Sequence, residues 1–145
     1  MKAVGITRYL PISDENSLLD IELPKPNASG RDSLVKINAI GVNPLDTKVR
    51  KPKDKIKAIP KVLGWDVCGI VKAIGDKVSK LNVGDTVYYA GNITRQGCNA
   101  EYQLIDERIV GLVPQTLTHT QSAAMPLTIV TAWEVLFERI KNIEK

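Results

Sequence analysis

The chain has 145 residues, with 20 Lys or Arg and 16 Asp or Glu, so its net charge is +4 at pH 7. This length suits one domain with a hydrophobic core, and 43% hydrophobic with 25% charged residues is an ordinary globular composition. Disordered, collagen-like and coiled-coil classes are therefore excluded. The sequence contains no run of roughly 18 apolar residues and turns polar too early for a secretory signal, so we expect a cytoplasmic protein without a membrane span.

The two cysteines and the one histidine offer no reactive constellation. Cys68 and Cys98 are too few and too far apart for a disulfide scaffold, so we expect two free thiols in or near the core. His119 lies in a threonine-rich stretch and is expected at the surface. No G-x-S-x-G elbow accompanies it, which argues against a serine hydrolase.

Positive charge concentrates in residues 48–61, which hold seven Lys or Arg and one Asp. Such a segment can steer an anion or a cofactor phosphate. It has no aromatic side chain on which a base could stack, and prolines interrupt it, so we expect a solvated loop and no nucleic-acid partner.

Period-two alternation and turn residues predict a series of short strands, followed by one helix. The predicted strands cover residues 4–6, 18–23, 34–40, 67–74, 86–90, 100–105 and 109–113. Asn43 and Pro44 suit the cap and first position of a short helix. From Leu127 onward, apolar residues recur at helical spacing and predict an amphipathic helix; they are Ile129, Trp133, Leu136, Phe137, Ile140 and Ile143. The pattern is typical of a small barrel or sandwich with a C-terminal helix.

Three spaced motifs stand out against this background: GVNPLDTKVR at 41–50, GWDVCG at 64–69 and PLTIVTAWE at 126–134. In the first, Asn43 and Asp46 are three positions apart and share one face of a helical turn. An amide and a carboxylate placed there could orient a carbonyl substrate or a nicotinamide amide. The alternative is that both residues simply stabilise the start of the helix.

The order and spacing of these motifs, with NAEY at 99–102 between the second and third, resemble the medium-chain dehydrogenase/reductase superfamily in its zinc-independent, quinone-oxidoreductase-like branch. The resemblance implies a mainly β fold with short helices: a GroES-like distorted β-barrel over residues 1–126. The helix over 127–145 would then lead into a Rossmann domain that is absent from this chain.

The resemblance also implies a function and a site. Similar enzymes transfer hydride from NADPH to a quinone or an α,β-unsaturated carbonyl. The matching catalytic candidates are Asn43, Asp46 and Lys48, and the cofactor-binding candidates are Asn43, Pro44, Thr128 and Thr131. Lys48 stands where many relatives have a tyrosine, although a lysine can still donate to a developing oxyanion. For the two threonines, helix capping or simple exposure is an equal alternative.

Zinc is not expected, because the positions that match the ligands of zinc-dependent relatives are Asn43, Trp65 and Leu127. The ten glycines include no G-x-G pair, so the main NADPH site is expected outside this chain, and the chain alone is expected to be inactive. Two alternatives stay open: a stand-alone barrel acting as a binding or assembly module, and a zinc-dependent alcohol dehydrogenase. An exposed terminal helix would favour self-association.

Overall fold

Eight strands and three short α-helices make up most of residues 1–140, the part of the chain that the computed structural model describes. They are β1 (Lys2–Tyr9), β2 (Leu19–Glu22), β3 (Asp32–Gly41), α1 (Pro44–Arg50), β4 (Lys53–Val62), β5 (Asp66–Ile74), β6 (Thr86–Ala90), β7 (Tyr102–Asp106), β8 (Gly111–Leu112), α2 (His119–Ala123) and α3 (Pro126–Trp133). A 3-10 turn at Glu107–Ile109 precedes β8, and a π-helical segment at Glu134–Arg139 follows α3.

The strands form two antiparallel sheets, in the orders β2-β1-β4 and β7-β3-β5-β6-β8. A bridge between Ala3 and Ala100 joins them, and the Val4 N–H donates to the Asn99 carbonyl at 2.7 Å. The sheets do not close into a complete barrel. Within residues 1–140 every named strand pair is antiparallel, so this part contains no parallel dinucleotide-binding sheet. The predicted mainly β class is confirmed.

Two clusters of buried side chains form the core. The larger lies in the five-stranded sheet and contains Val35, Val67, Val71, Leu81, Val87, Tyr89, Cys98 and Ile105. The smaller contains Ile6, Tyr9, Leu63 and Trp65, with Leu45 and Val49 of α1 packed against it. Cys68 and Cys98 are both buried and free, as the sequence predicted.

The basic segment is not the loop that its charge suggested. Its first residues belong to α1, and from Lys53 the chain forms β4, which pairs with β1 in an irregular register. β4 is an edge strand, and most of its side chains are exposed on both faces. Lysines on an edge discourage pairing with a further strand. Because neither face is apolar, the strand shows no alternation in the sequence, which is why the prediction was wrong.

The terminal helix, defined here as α3 with the π-helical segment, begins at Pro126, one residue before the predicted start. The Ile140 N–H donates to the Val135 carbonyl at 3.0 Å, five residues back. Its apolar face, comprising Trp133, Leu136, Phe137 and Ile140, is exposed, and Trp133 is 59% accessible. Ile143 lies outside the described residues, and the division into 1–126 and 127–145 stays a prediction. No helix in the described part of the chain is long and apolar enough to cross a membrane.

Candidate functional site

The first motif forms the turn from β3 into α1. Asn43 is the N-cap and Pro44 the first residue of the helix, where a missing N–H is tolerated. The carboxylate of Asp46 accepts from the Asn43 backbone N–H at 2.8 Å, so the two residues form a capping box. Leu45 packs inward against the Trp65 cluster, whereas Pro44 and Lys48 face outward. The local sequence therefore fixes where the Asn43 side chain begins.

Asp66, the first residue of β5, is the side chain on which the three motifs converge. It is 1% exposed and pairs in register with Gly41. Its Oδ2 accepts from Nδ2 of Asn43, and its Oδ1 accepts from the Leu127 N–H at 2.8 Å. Burial raises the pKa of this carboxyl above its ordinary value, and these two hydrogen bonds partly oppose that effect.

Sequence reasoning did not select Asp66 as a site residue. The available signal was a carboxylate between a tryptophan and the apolar run of β5, in a segment that gave every other indication of being core. A buried carboxylate needs donors, and here they come from residues 43 and 127, which are distant in sequence. Only the folded chain brings them together.

The segment before Asp66 is held by a close approach that requires glycine. Gly64 has φ +89°, and a Cβ at this position would collide with Cys98 and Asn99. The Cys98 N–H donates to the Gly64 carbonyl at 2.9 Å. Burial raises the pKa of the Cys98 thiol to about 12, so it stays protonated at neutral pH. Cys98 is therefore part of the support for the site and is no nucleophile.

An open cavity of about 700 Å³ lies between α1 and the terminal helix. Its lining consists of Asn43, Pro44, Leu45, Lys48, Leu127, Thr128, Thr131, Ala132, Val135 and Leu136. We call it the cleft. It brings together all the predicted site residues except Asp46, whose carboxylate serves the capping box instead. The hydroxyl of Thr131 donates to the Leu127 carbonyl at 2.7 Å, so towards a ligand it can only accept.

Most of the cleft wall is aliphatic, with a few polar groups at defined points. This composition suits a flat, mostly apolar ring that carries one or two hydrogen-bonding substituents. The polar groups are the amide of Asn43, the hydroxyls of Thr128 and Thr131 and the ammonium of Lys48. Both helices present exposed residues at the cleft, so it is open to solvent on the side of Lys48 and Thr128.

Residues 29–129 match the family model of the alcohol dehydrogenase GroES-like domain. The chain belongs to this family. The match begins before β3 and ends within α3, so it includes Asn43, Asp66, Leu127 and Thr128.

The GroES-like domain is similar over its length to longer proteins. The zinc-type alcohol dehydrogenase-like protein of Staphylococcus epidermidis is 42% identical over 139 residues, covering 95% of this chain and 40% of that protein. A crystal structure from Rhizobium etli, whose name proposes a zinc-dependent alcohol dehydrogenase, is 51% identical with a TM-score of 0.92; the match covers 100% of this chain and 42% of that one. The chain thus spans about 40% of the length of these relatives. The predicted GroES-like fold is confirmed.

Three further similar proteins have names that describe chemistry. The 2-methylene-furan-3-one reductase of Solanum lycopersicum is 37% identical over 94% of this chain and 37% of its own length. The quinone oxidoreductase of Coxiella burnetii is 26% identical, with a TM-score of 0.78, over 93% of this chain and 44% of its own. A mycobacterial protein solved with NADPH is 29% identical, with a TM-score of 0.81, over 97% of this chain and 42% of its own.

Some relatives carry zinc in their names, but the residues of this GroES-like domain do not fit a zinc ion. At the three matching positions, Asn43 donates its amide to Asp66, Trp65 is buried, and Leu127 has an aliphatic side chain. Among residues 1–140, no three His, Cys, Asp or Glu side chains lie close enough together to hold a metal.

The cleft does fit the nicotinamide end of a dinucleotide. Its aliphatic walls match a flat ring, and Asn43 and Thr128 can bond a carboxamide. The sequence offers no comparable match for the pyrophosphate, because it has no G-x-G pair whose backbone could approach the phosphates closely.

Proposed function

We propose that this GroES-like domain is the substrate-side catalytic domain of an NADPH-dependent oxidoreductase that passes hydride to a quinone or an α,β-unsaturated carbonyl without zinc. The observation that carries the proposal is the cleft, where Asn43, Pro44 and Lys48 face Thr128 and Thr131 across a mostly aliphatic space. The names of the tomato reductase, the Coxiella oxidoreductase and the mycobacterial NADPH complex support this choice of chemistry.

In this mechanism the domain binds and polarises the acceptor. The chemistry supplied by bound NADPH is a hydride from C4 of its nicotinamide. Negative charge then develops on the carbonyl oxygen of the acceptor, and a fixed donor at that oxygen lowers the barrier. Asn43 has a second amide N–H beyond the one it gives to Asp66, and Lys48 has an ammonium at the mouth of the cleft. Asp46 acts indirectly, by capping α1 and fixing the backbone of Asn43.

The remaining parts of the proposal follow from the same assignment. Thr128 and Thr131 contact the cofactor from the terminal helix, and the main dinucleotide site lies in a separate domain. The chain alone does not turn over NADPH, because positioning the hydride donor is a large part of the catalysis. We place the enzyme in the cytoplasm and expect no nucleic-acid partner.

A chimera tests the assignment: residues 1–145 replace the matching part of the Rhizobium etli protein, to which they are 51% identical. We expect NADPH oxidation with a quinone or an enone, and no loss of rate after exhaustive chelation. The parent protein and the isolated chain are the controls. A chimera that binds NADPH but reduces neither acceptor contradicts the proposal, and a rate that chelation abolishes indicates the zinc-dependent alternative.

The exposed apolar face of the terminal helix supports a second candidate, a binding or assembly module. Such a module needs no dinucleotide, and its helix face would engage another protein. An inactive chimera, together with a stable complex between the isolated chain and another protein, would favour the binding or assembly module.

A further inference from the structure

The two walls of the cleft are joined by a single side chain. One oxygen of Asp66 accepts from the Asn43 amide on the α1 side, and the other accepts from the Leu127 N–H at the start of α3. The Leu127 N–H is one of the amides that lack a partner within the helix, and the N-cap Met125 gives no side-chain cap. Asp66 therefore acts as a remote cap for α3 while it holds the opposite wall.

The carboxylate of Asp66 orients the Asn43 amide from the side of β5. An ionised carboxylate can only accept hydrogen bonds, so it selects the NH2 group of Asn43 and rejects the oxygen. The capping box with Asp46 restrains the backbone of the same residue. With one N–H given to Asp66, the second amide N–H of Asn43 is the donor left for a ligand in the cleft.

We propose that Asp66 is a positioning residue that holds Asn43 as a hydrogen-bond donor to the acceptor carbonyl and fixes α3 at the matching distance. The part of this inference that concerns hydride transfer rests on the proposed function. The part that concerns the amide orientation rests only on the contacts of Asp66. A positioning role also accounts for a buried carboxylate that has no cation among its hydrogen-bonding partners within residues 1–140.

An exchange of the two side chains separates positioning from simple structural support. Asp66→Asn alone places two amide nitrogens against each other unless Asn43 turns over. The double variant Asn43→Asp with Asp66→Asn rebuilds a carboxylate–amide pair in the reverse direction, and the new amide oxygen at position 66 can still accept from Leu127. The walls are then joined again, but position 43 no longer offers a donor to the cleft.

The first readout is the NMR signal of the Asn43 side-chain amide in the 145-residue chain. We expect Asp66→Asn to shift this signal and the Leu127 amide signal strongly. Glu107→Gln is the matched control, since it changes another buried carboxylate whose partners are Ser79, Lys80 and Arg31. An Asn43 amide signal that ignores Asp66→Asn, or responds equally to Glu107→Gln, overturns the inference.

The second readout is kcat in the chimera. We expect Asp66→Asn to lower kcat about 10- to 100-fold, the range that a displaced catalytic group produces. The double variant should recover the thermal midpoint but not kcat. If it restores kcat, Asn43 is not needed as a donor and the positioning role is wrong. If the unsubstituted chimera transfers no hydride, the catalytic part falls with the proposed function, while the NMR result still decides the amide orientation.

Discussion

Two carboxylates among residues 1–140 are buried at different ends of the larger sheet, and their surroundings differ in kind. Glu107 accepts from the backbone N–H groups of Ser79 and Lys80, both at 2.8 Å, and from Arg31 at 3.0 Å. These bonds lower the pKa of Glu107. In the described part of the chain, Asp66 has an amide and one backbone N–H as donors and no such cation, and burial raises its pKa.

This difference in surroundings distinguishes a carboxylate that supports the fold from one that belongs to the candidate site. Glu107 is held in its charged form by two backbone donors of the loop between β5 and β6 and by Arg31 before β3, which makes it an anchor for that loop. Burial disfavours the charged form of Asp66 and raises its pKa, and its donors lie on opposite walls of the cleft. Titratable groups held in an unfavourable state beside a cavity are typical of functional sites.

The largest expected effect is on catalysis. In the chimera, Asn43→Ala should lower kcat/KM about 100-fold, because it removes a donor at the oxygen where charge develops. Glu107→Gln should leave kcat/KM within about twofold in the folded fraction, since its contacts lie away from the cleft. Steady-state kinetics with an enone or a quinone measures both. Comparable losses in the two variants would erase the distinction between anchor and site.

For the free energy of unfolding, the order of the two carboxylates reverses: we expect the larger effect at Glu107 and the smaller effect at Asp66. In Glu107→Gln the amide oxygen can keep both backbone donors, but the NH2 group then faces the Arg31 guanidinium, which loses its charged acceptor, so this variant should give the greater loss. Asp66→Asn loses one hydrogen bond but removes a buried charge, and we expect a change within about 1 kcal/mol. Urea unfolding of the 145-residue chain at pH 7 measures the difference. A larger loss for Asp66→Asn would contradict the comparison.

The two carboxylates should also contribute opposite pH dependences. The folded-state pKa of Glu107 is below its ordinary value of 4.5. Its contribution to the free energy of unfolding is therefore present above that pH and is lost on acidification through the folded pKa. The folded-state pKa of Asp66 is above its ordinary value of 3.8, so its contribution is lost as the pH rises through the folded pKa.

Unfolding free energies across the acid range test these signs. Glu107→Gln should flatten the acid-side loss, and Asp66→Asn should flatten the decline that begins above pH 3.8, each by at most the slope of one proton. The sign assignment is wrong if Asp66→Asn steepens that decline.

The smallest expected effect concerns the exposed apolar face of the terminal helix. We predict that the isolated chain self-associates through it, and that Trp133→Ser weakens the dimer about tenfold. Ile12→Ser is the control, because Ile12 is 66% exposed and lies in a loop away from this face. Sedimentation over a range of concentrations gives the association constant. A chain that stays monomeric at high concentration contradicts this prediction.

The sequence predicted most strands, and five of the six predicted site residues line the cleft, for identifiable reasons. β3 and β6 alternate because each has one buried face, and Pro44 marks the start of α1. β4 escaped because an exposed, lysine-rich edge carries no such pattern. α2 escaped because its five residues depend on the Thr118–Gln121 capping box and on packing against β3 and β5.

The sequence did not predict the role of Asp66, and the reason is the distance along the chain to its partners. Its partners are 23 and 61 positions away, and no local pattern records that one oxygen faces each. The motifs predicted several residues that line the cleft. The hydrogen bonds by which Asp66 joins its two walls form only when the chain is folded. Residues in motif positions are therefore easier to predict than the contacts that make them a site.

The two tryptophans give the molecule a built-in optical reporter. Trp65 is 1% exposed and immediately precedes Asp66, whereas Trp133 is 59% exposed on the terminal helix. Their fluorescence should therefore differ in colour and in access to a dissolved quencher. The blue-shifted emission of buried Trp65 reports on the core beside Asp66. The red-shifted emission of exposed Trp133 reports on any contact that covers the terminal helix. One emission spectrum can thus watch both regions at once, without any label.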